Sequence, residues 1–380
     1  MLYFRLGGIL YGEQLEFKSD VCLSFNSDCI LEGIETHSSC PLETKNASSY
    51  ILLPSPANSH THLADWIIPE YGTDLSLEEL VAPPNGLKHV HLKGTSVTSK
   101  TSGYVEALNY AETTGTLLIM DYREEGIDGC MIARKALLSS KFKGTLKILG
   151  RPNGNIDDHS YLSSLISKCD GFGLPSPLYY SEETLKDIAK LSVQKDIIVS
   201  AHIAETREAR RQGDFELLLS YLKPAFIVHG TYLSEGDMAI LNERNIPVSI
   251  CPRSVLFHST GIPPVRAFFD SNVRIMIGSD NAAWSTPDPW IDASILYFIG
   301  RSQGIKSREF DLWVLKGLFL NPYVSIGLDP PLIEEGKPIH GVLADGVSTG
   351  LLRAENKYAG IIKRVDRRSI VSRFSCSRFL

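Results

Sequence analysis

Apolar positions along the chain follow two different periods. Residues 1–50 carry short apolar runs broken by Gly, Asn, Asp and Ser, the pattern of small antiparallel strands. From about residue 51, short β-rich runs alternate with longer stretches at helical spacing. Eight such runs can be followed: ANSHTH, GTLLIMDYR, GTLKILGRP, CDGFGLPS, DIIVSAHIAE, PAFIVHG, IPVSICPRS and VRIMIGSDN. Between them, SEETLKDIAKLSVQ and TREARRQGDFELLLSYLK have charged faces and apolar residues at helical spacing. The first opens on Ser181, with Glu182 and Glu183 in its first turn, as a helix start does. Eight strand–helix repeats over about 280 residues predict an α/β protein built as a (β/α)8 TIM-type barrel. An open doubly wound sheet is the rival, but no G-x-G-x-x-G follows any strand. After residue 330 the texture is β-like again, and the two chain ends are expected to pair into a small composite β-sandwich. The boundaries then fall at 1–50 with 331–380 for the sandwich domain and 51–330 for the barrel.

Composition narrows the partners. Hydrophobic content of 43% and charged content of 22% are ordinary for a globular protein, and 380 residues are ample for a large core. A net charge of −6 without a basic stripe argues against nucleic acid as a partner. The basic tail KRVDRRSIVSRFSCSRFL reads as a solvated terminus. No segment approaches about 18 uninterrupted apolar residues, so no membrane partner is expected. Seven cysteines without a C-x-x-C or a regular spacing suggest free, buried thiols in a reducing cytoplasm. A small-molecule substrate is the expected partner, and a homo-oligomer is compatible with the sequence.

Candidate chemistry enters at LLPSPANSHTHLADW, residues 52–66. Residues i and i+2 of a strand share a face, so His60 and His62 converge while Thr61 turns away. A first-row metal ion is the usual reason for such convergence. Ten histidines give one H-x-H by chance with odds of roughly one in four, so spacing alone decides little. LKHVHLKG repeats it with His89 and His91 in what reads as a polar loop. In a (β/α)8 barrel, however, site residues project from the carboxyl ends of the strands. Those ends carry His60 and His62, then His202 and Glu205 in AHIAE, His229 in VHG and Asp280 in GSDN. Each has a structural alternative: Glu205 as a helix-start carboxylate, His229 as a bonded core histidine, Asp280 as a turn cap.

NSHTHL, AHIAET, VHG and GSDN, in this order, resemble the metal-dependent amidohydrolase superfamily, in its branch of cytosine deaminase, adenosine-type deaminases and triazine chlorohydrolases. The resemblance covers nearly the whole chain, including the ADG turn near Asp345. It implies that His60, His62, His202 and Asp280 bind one divalent metal with an open position for water, and that Asp280 accepts that water's proton. Glu205 would protonate a ring nitrogen and later the leaving amine, and His229 would orient the nucleophile. Strand four, CDGFGLPSP, has no lysine at its end to bridge a second metal, which favours a mononuclear site. Zinc is the default by affinity, with iron or manganese also compatible with three histidines and an aspartate. The reaction implied is deamination of a nucleobase- or nucleoside-like heterocyclic amine; displacement of halide, or metal-stabilised binding without catalysis, are the alternatives.

Substrate selection is expected from other strand ends. Arg123, Arg151 and Arg253, with Lys88 in the loop after strand one, form a cationic rim suited to a carboxylate or phosphate, unless they pair locally with Asp121, Glu124 or Glu125. Trp66 and Trp284 are candidates for stacking on a flat ring or for core packing. Asn281 is a further substrate-binding candidate. It stands where adenosine deaminases have a second aspartate, Ile250 stands where many relatives have histidine, and Val255 where asparagine is common; adenosine itself is therefore disfavoured.

Overall fold

A computed structural model of the chain describes residues 1–82, 84–153 and 158–374. The last six residues of the basic tail, Cys376 among them, lie outside the described residues. The alternating N-terminal stretch forms β1 (Leu2–Tyr11), β2 (Glu16–Phe25), β3 (Leu31–Thr36) and β4 (Lys45–Pro54). The eight β-rich runs form β5 (Ala57–His62), β6 (Leu118–Arg123), β7 (Thr145–Gly150), β8 (Gly171–Leu174), β9 (Ile198–Ile203), β10 (Phe226–His229), β11 (Val248–Ile250) and the pair β12 (Ile275–Ile277) and β13 (Asp280–Asn281). The chain ends with β14 (Gly341–Asp345) and β15 (Ile370–Arg373).

Strands β5 to β13 make one nine-stranded parallel sheet in the order β12-β11-β10-β9-β8-β7-β6-β5-β13. Its two outermost strands are consecutive in the chain, so the sheet curls until β13 pairs with β5, Asp280 against Thr61 and Asn281 against His62. Asn58 fastens this junction: its Nδ2 donates to Ser279 Oγ at 2.8 Å and its Oδ1 accepts the Ser279 N–H at 3.0 Å. Strand periodicity then sorts side chains to two faces. On β6, Leu118, Met120 and Tyr122 pack inward with Leu149, Phe226, Val228 and Met276. Ile119 faces the helical layer, in one core with Trp290, Phe310 and Phe319.

Two local expectations differ from the structure. LKHVHLKG is a helix, Leu87–Gly94, not a loop. On a helix, residues two apart diverge, so His89 and His91 do not converge: His89 Nε2 bonds Val81 O at 3.0 Å and His91 lies against Tyr71. TREARRQGDFELLLSYLK is broken into Arg207–Arg211 and Asp214–Tyr221, because Gly213 turns the backbone at φ +79°.

The two chain ends do meet, in a single six-stranded sheet of order β15-β14-β4-β1-β2-β3. β1 pairs antiparallel with β2 but parallel with β4. Phe4, Leu6, Ile9, Leu23, Leu52 and Leu343 pack on one face, whereas Leu10, Ile51 and Leu53 join the large core. The inward parity on β1 changes after Leu6 because the register shifts between Leu6 and Gly8. A second, facing sheet is not formed among the described residues; Ile333 and Ile339, before β14, pack against that face in its place. Cysteine usage is also corrected. The turn after β3 brings Cys40 back to β2, Cα to Cα 5.6 Å, and Cys22 and Cys40 form a disulfide, while Cys130, Cys169 and Cys251 are free and buried. Among the described residues no helix is long and apolar enough to cross a membrane.

Gly278, between β12 and β13, leaves no room for a Cβ, which would stand 2.8 Å from His60 Cβ and 2.9 Å from Cys251 Sγ. Gly278→Ala is expected to destabilise the fold by about 1–3 kcal/mol through overpacking. Urea unfolding checks this; an unchanged midpoint would contradict the junction described here.

Candidate metal centre and catalytic cavity

Because the sheet is parallel, its carboxyl ends share one rim, and the histidines arrive there by strand parity. His60 and His62 project from β5, and Thr61 turns the other way, donating to Asp121 Oδ1 at 2.9 Å and Met120 O at 3.2 Å. His202 follows the inward parity of β9, whose Ser200 accepts a hydrogen bond from Tyr122 inside the sheet. Asp280 closes the set from β13. One ligand atom from each of His60, His62, His202 and Asp280 lies within 4.8 Å of the others. Asp280 Oδ1 is 3.1 Å from His60 Nε2 and 3.5 Å from His62 Nε2. Tyr122 lies beneath, its ring centroid 4.3 Å from that of His60.

Parity alone would send His229 outward with Ile227. Its backbone is left-handed instead, φ +70°, and so is that of Asp280, φ +61°, and of Ala204, φ +49°. Left-handed backbone is uncommon outside glycine and concentrates at functional sites. The turns bring His229 Nε2 to 3.6 Å from Glu205 Oε1 and 3.9 Å from Asp280 Oδ2.

Electrostatics favour a divalent cation. Burial holds the His60 and His202 imidazoles below their ordinary range and pushes His62 down to about 3, so all three are neutral and fit to ligate. Asp280 is well below the carboxylate range: burial works to raise it, but the hydrogen bond with His60 prevails. The ring tautomers are fixed from behind. His202 Nδ1 donates to Leu174 O at 2.9 Å, and His62 Nδ1 to Glu124 Oε1 at 2.8 Å, leaving both Nε2 atoms free to ligate. His60 Nδ1 and both His229 nitrogens are buried without a hydrogen-bond partner. Three neutral imidazoles and one carboxylate are a donor set that fits zinc, iron or manganese.

Glu124, in the sequence a candidate ion-pair partner for arginine, continues the inward series Leu118, Met120, Tyr122. Besides His62 it accepts from Lys88 Nζ at 2.6 Å, and Arg151 Nη2 stands 3.5 Å away. Burial works to raise Glu124, but the Lys88 ammonium and the Arg151 guanidinium hold it well below its ordinary range. Asp65 Oδ2 accepts from Lys88 at 3.2 Å and from Asn281 Nδ2 at 2.7 Å. Asp65 lies three residues past His62 in the sequence.

Above this floor is a cavity of about 710 Å³, lined by Lys88, Arg151, Tyr179, His258 and Asn281 as well as by Glu205 and by His62, His202 and Asp280 of the ligand set. Arg151 is 9% exposed, and its Nε and Nη1 have no partner. His258, which no motif of the sequence singles out, reaches the cavity from the end of the helix Pro252–Phe257, where burial pushes it down to about 4. Four of the candidate substrate residues lie elsewhere. Arg123 shares the outward face of β6 with Asp121, fully buried, and bonds Gly129 O at 3.2 Å and Glu125 Oε2 at 2.7 Å. Arg253 is clamped to Asp292 at 2.6 Å and to Thr286 O. Trp66 Nε1 donates to Glu106 at 3.4 Å, and Trp284 Nε1 donates to Tyr71 O while its ring stacks on Phe257.

Because Glu124 orients His62, Glu124→Gln is expected to weaken zinc binding about 10- to 100-fold. Competition with a chromogenic chelator measures this, and unaltered affinity would show that Glu124 does not support the ligand.

Comparison with known proteins agrees with this geometry. The profile of the Amidohydrolase family matches residues 51–337. A putative aminohydrolase of Methanothermobacter thermautotrophicus is 27% identical over 98% of this chain and 97% of its own length. A 5-methylthioadenosine/S-adenosylhomocysteine deaminase of Pyrococcus furiosus is 25% identical over 88% of this chain and 84% of its own. The fold is that of an adenosine deaminase from Xanthomonas campestris solved with bound zinc, with a TM-score of 0.79 at 18% identity over 98% of this chain and 91% of that one. The family match spans the curled sheet and every strand end that carries the ligand set, and the chain belongs to the amidohydrolase family, as a hydrolytic enzyme.

Proposed function

We propose that this amidohydrolase releases ammonia from an amino-substituted, nucleobase- or nucleoside-like heterocycle, with one divalent ion held by His60, His62, His202 and Asp280. The observation that carries the reading is the placing of Glu205 over the same cavity, 3.6 Å from His229, at the rim of a neutral-imidazole ligand set. Deaminase names among the relatives support it. Zinc is favoured by affinity, with iron or manganese as alternatives. When bound, a divalent ion would supply hydroxide at neutral pH by lowering the pKa of water. The Asp280 carboxylate would accept that water's proton, and His229 would orient the attack. Burial raises the Glu205 carboxyl above its ordinary range, so it stays protonated longer and can deliver its proton to the ring nitrogen, while the proton that Asp280 takes from the water passes on to the amine, which leaves as ammonia. In this reading β12 and β13 are two halves of one eighth strand, the curled sheet is a (β/α)8 barrel over residues 51–330, and residues 1–50 with 331–380 form the accessory domain.

Arg151 supplies selectivity. It lines a cavity large enough for more than one ring and keeps two donors, Nε and Nη1, without a partner, which suits a substrate with a carboxylate or phosphate beside the amine-bearing heterocycle. Lys88 is already engaged by Asp65 and Glu124, so its role is to shape this wall.

Ammonia release from a panel of aminopurines, aminopyrimidines and their nucleosides, with and without an anionic extension, tests the reading. Turnover of at least one amine is expected; chloride release from a chloro-substituted analogue, with no ammonia from any amine, would overturn it in favour of halide displacement. On the best substrate, Arg151→Ala should raise KM roughly tenfold or more, the loss expected of one charge-assisted hydrogen bond. Arg253→Ala should leave KM unaltered, because Arg253 lies outside the cavity. The reverse pattern would move the anion subsite to the Arg253 side.

A further inference from the structure

The chain reaches Glu205 by breaking the alternation of β9. Val199, Ala201 and Ile203 face the helical layer, and Ser200 and His202 face inward. Continued extension would carry Glu205 outward. The reversal is made by Ala204, left-handed at φ +49°. Unlike Asn or Asp, alanine has no side-chain group that bonds locally to favour this conformation, so something else must hold it there. Three backbone contacts do. Gly230 N–H donates to Ile203 O at 2.9 Å, Tyr232 N–H donates to Ala204 O at 2.9 Å, and Ala204 N–H is taken by Asp214 Oδ2 at 2.6 Å.

Asp214 is the side chain in this clamp. It opens the helix Asp214–Tyr221, is 1% exposed, and sits just after the glycine that breaks the longer predicted helix. That break lets the helix start at the right place for a carboxylate to meet the Ala204 amide. Thr206, on the other side of Glu205, caps the helix Arg207–Arg211 by accepting the Ala209 N–H. Glu205 is thus fixed between a left-handed residue and a helix cap.

We infer that Asp214 is a positioning residue for Glu205: by holding the Ala204 amide it maintains the left-handed turn that aims the Glu205 carboxyl over the cavity toward His229. The inference rests on the catalytic role proposed for Glu205 but is tested separately from it. In a crystal structure of Asp214→Ala, Glu205 should leave its position 3.6 Å from His229. In the double variant Asp214→Ala with Ala204→Gly it should return, since glycine adopts positive φ without a clamp. If the panel yields a substrate, kcat should fall about 10- to 100-fold in Asp214→Ala with KM little changed, and recover in the double variant. A Glu205–His229 distance unchanged in Asp214→Ala, or a displaced Glu205 that glycine does not return, would overturn the inference. Should Asp214→Ala fail to fold, Asp214→Leu, close in size but without an acceptor for the Ala204 N–H, carries the same structural readout: Glu205 displaced is expected, and Glu205 in place would overturn the inference. Failure of the wild type to release ammonia strikes only the deaminase reading, because the position of Glu205 is read without a substrate.

Discussion

Asp280 lies within 4 Å of three imidazoles, those of His60, His62 and His229, at a depth where water cannot spread its charge. A carboxylate packed among neutral, desolvated rings is costly unless a cation completes the group. That constraint governs the architecture around it. The two-residue gap between β12 and β13 delivers Asp280 to β5, and the glycine in the gap is required because His60 and Cys251 already fill the space. The curl of the sheet and the ligand set are therefore one feature, since opening the sheet at β13 would remove a ligand.

A second layer of charge keeps the first in register. Glu124, Lys88, Asp65 and Asn281 form a buried chain of hydrogen bonds that begins on the back of His62 and ends beside Asp280 in sequence. Charges so deep are tolerated only when each has a partner. Arg151 meets this rule only in part, through Nη2 beside Glu124, and its two unpartnered nitrogens set it apart from Arg123 and Arg253, whose guanidinium groups are consumed by carboxylates and carbonyls. Cationic residues at strand ends thus fall into two kinds, those that hold the wall together and one that lines the cavity with two donors still unpartnered.

Much of this was legible in the sequence. All eight β-rich runs are strands, and the histidines read from their ends converge, because period two and parallel order leave little freedom there. The reading failed where a single residue alters parity or period. Strand alternation could have separated Arg123 from Glu124, since Leu118, Met120 and Tyr122 mark the inner face. His229 and Glu205, by contrast, reach the site through left-handed turns at His229 and Ala204 that no pattern announces. The helical period of LKHVHLKG was masked by its polar composition. The pairing of Cys22 with Cys40 depends on a return of the chain after β3 that spacing does not encode.

The central claim is that the chain holds one divalent ion on His60, His62, His202 and Asp280. Elemental analysis of the purified protein, beside His60→Ala and Asp280→Asn, tests it most directly. Close to one zinc, iron or manganese ion per chain in the wild type, lost in both variants, is the predicted result. A wild type free of metal after expression with each of these ions supplied, or variants that retain a full complement, would contradict it.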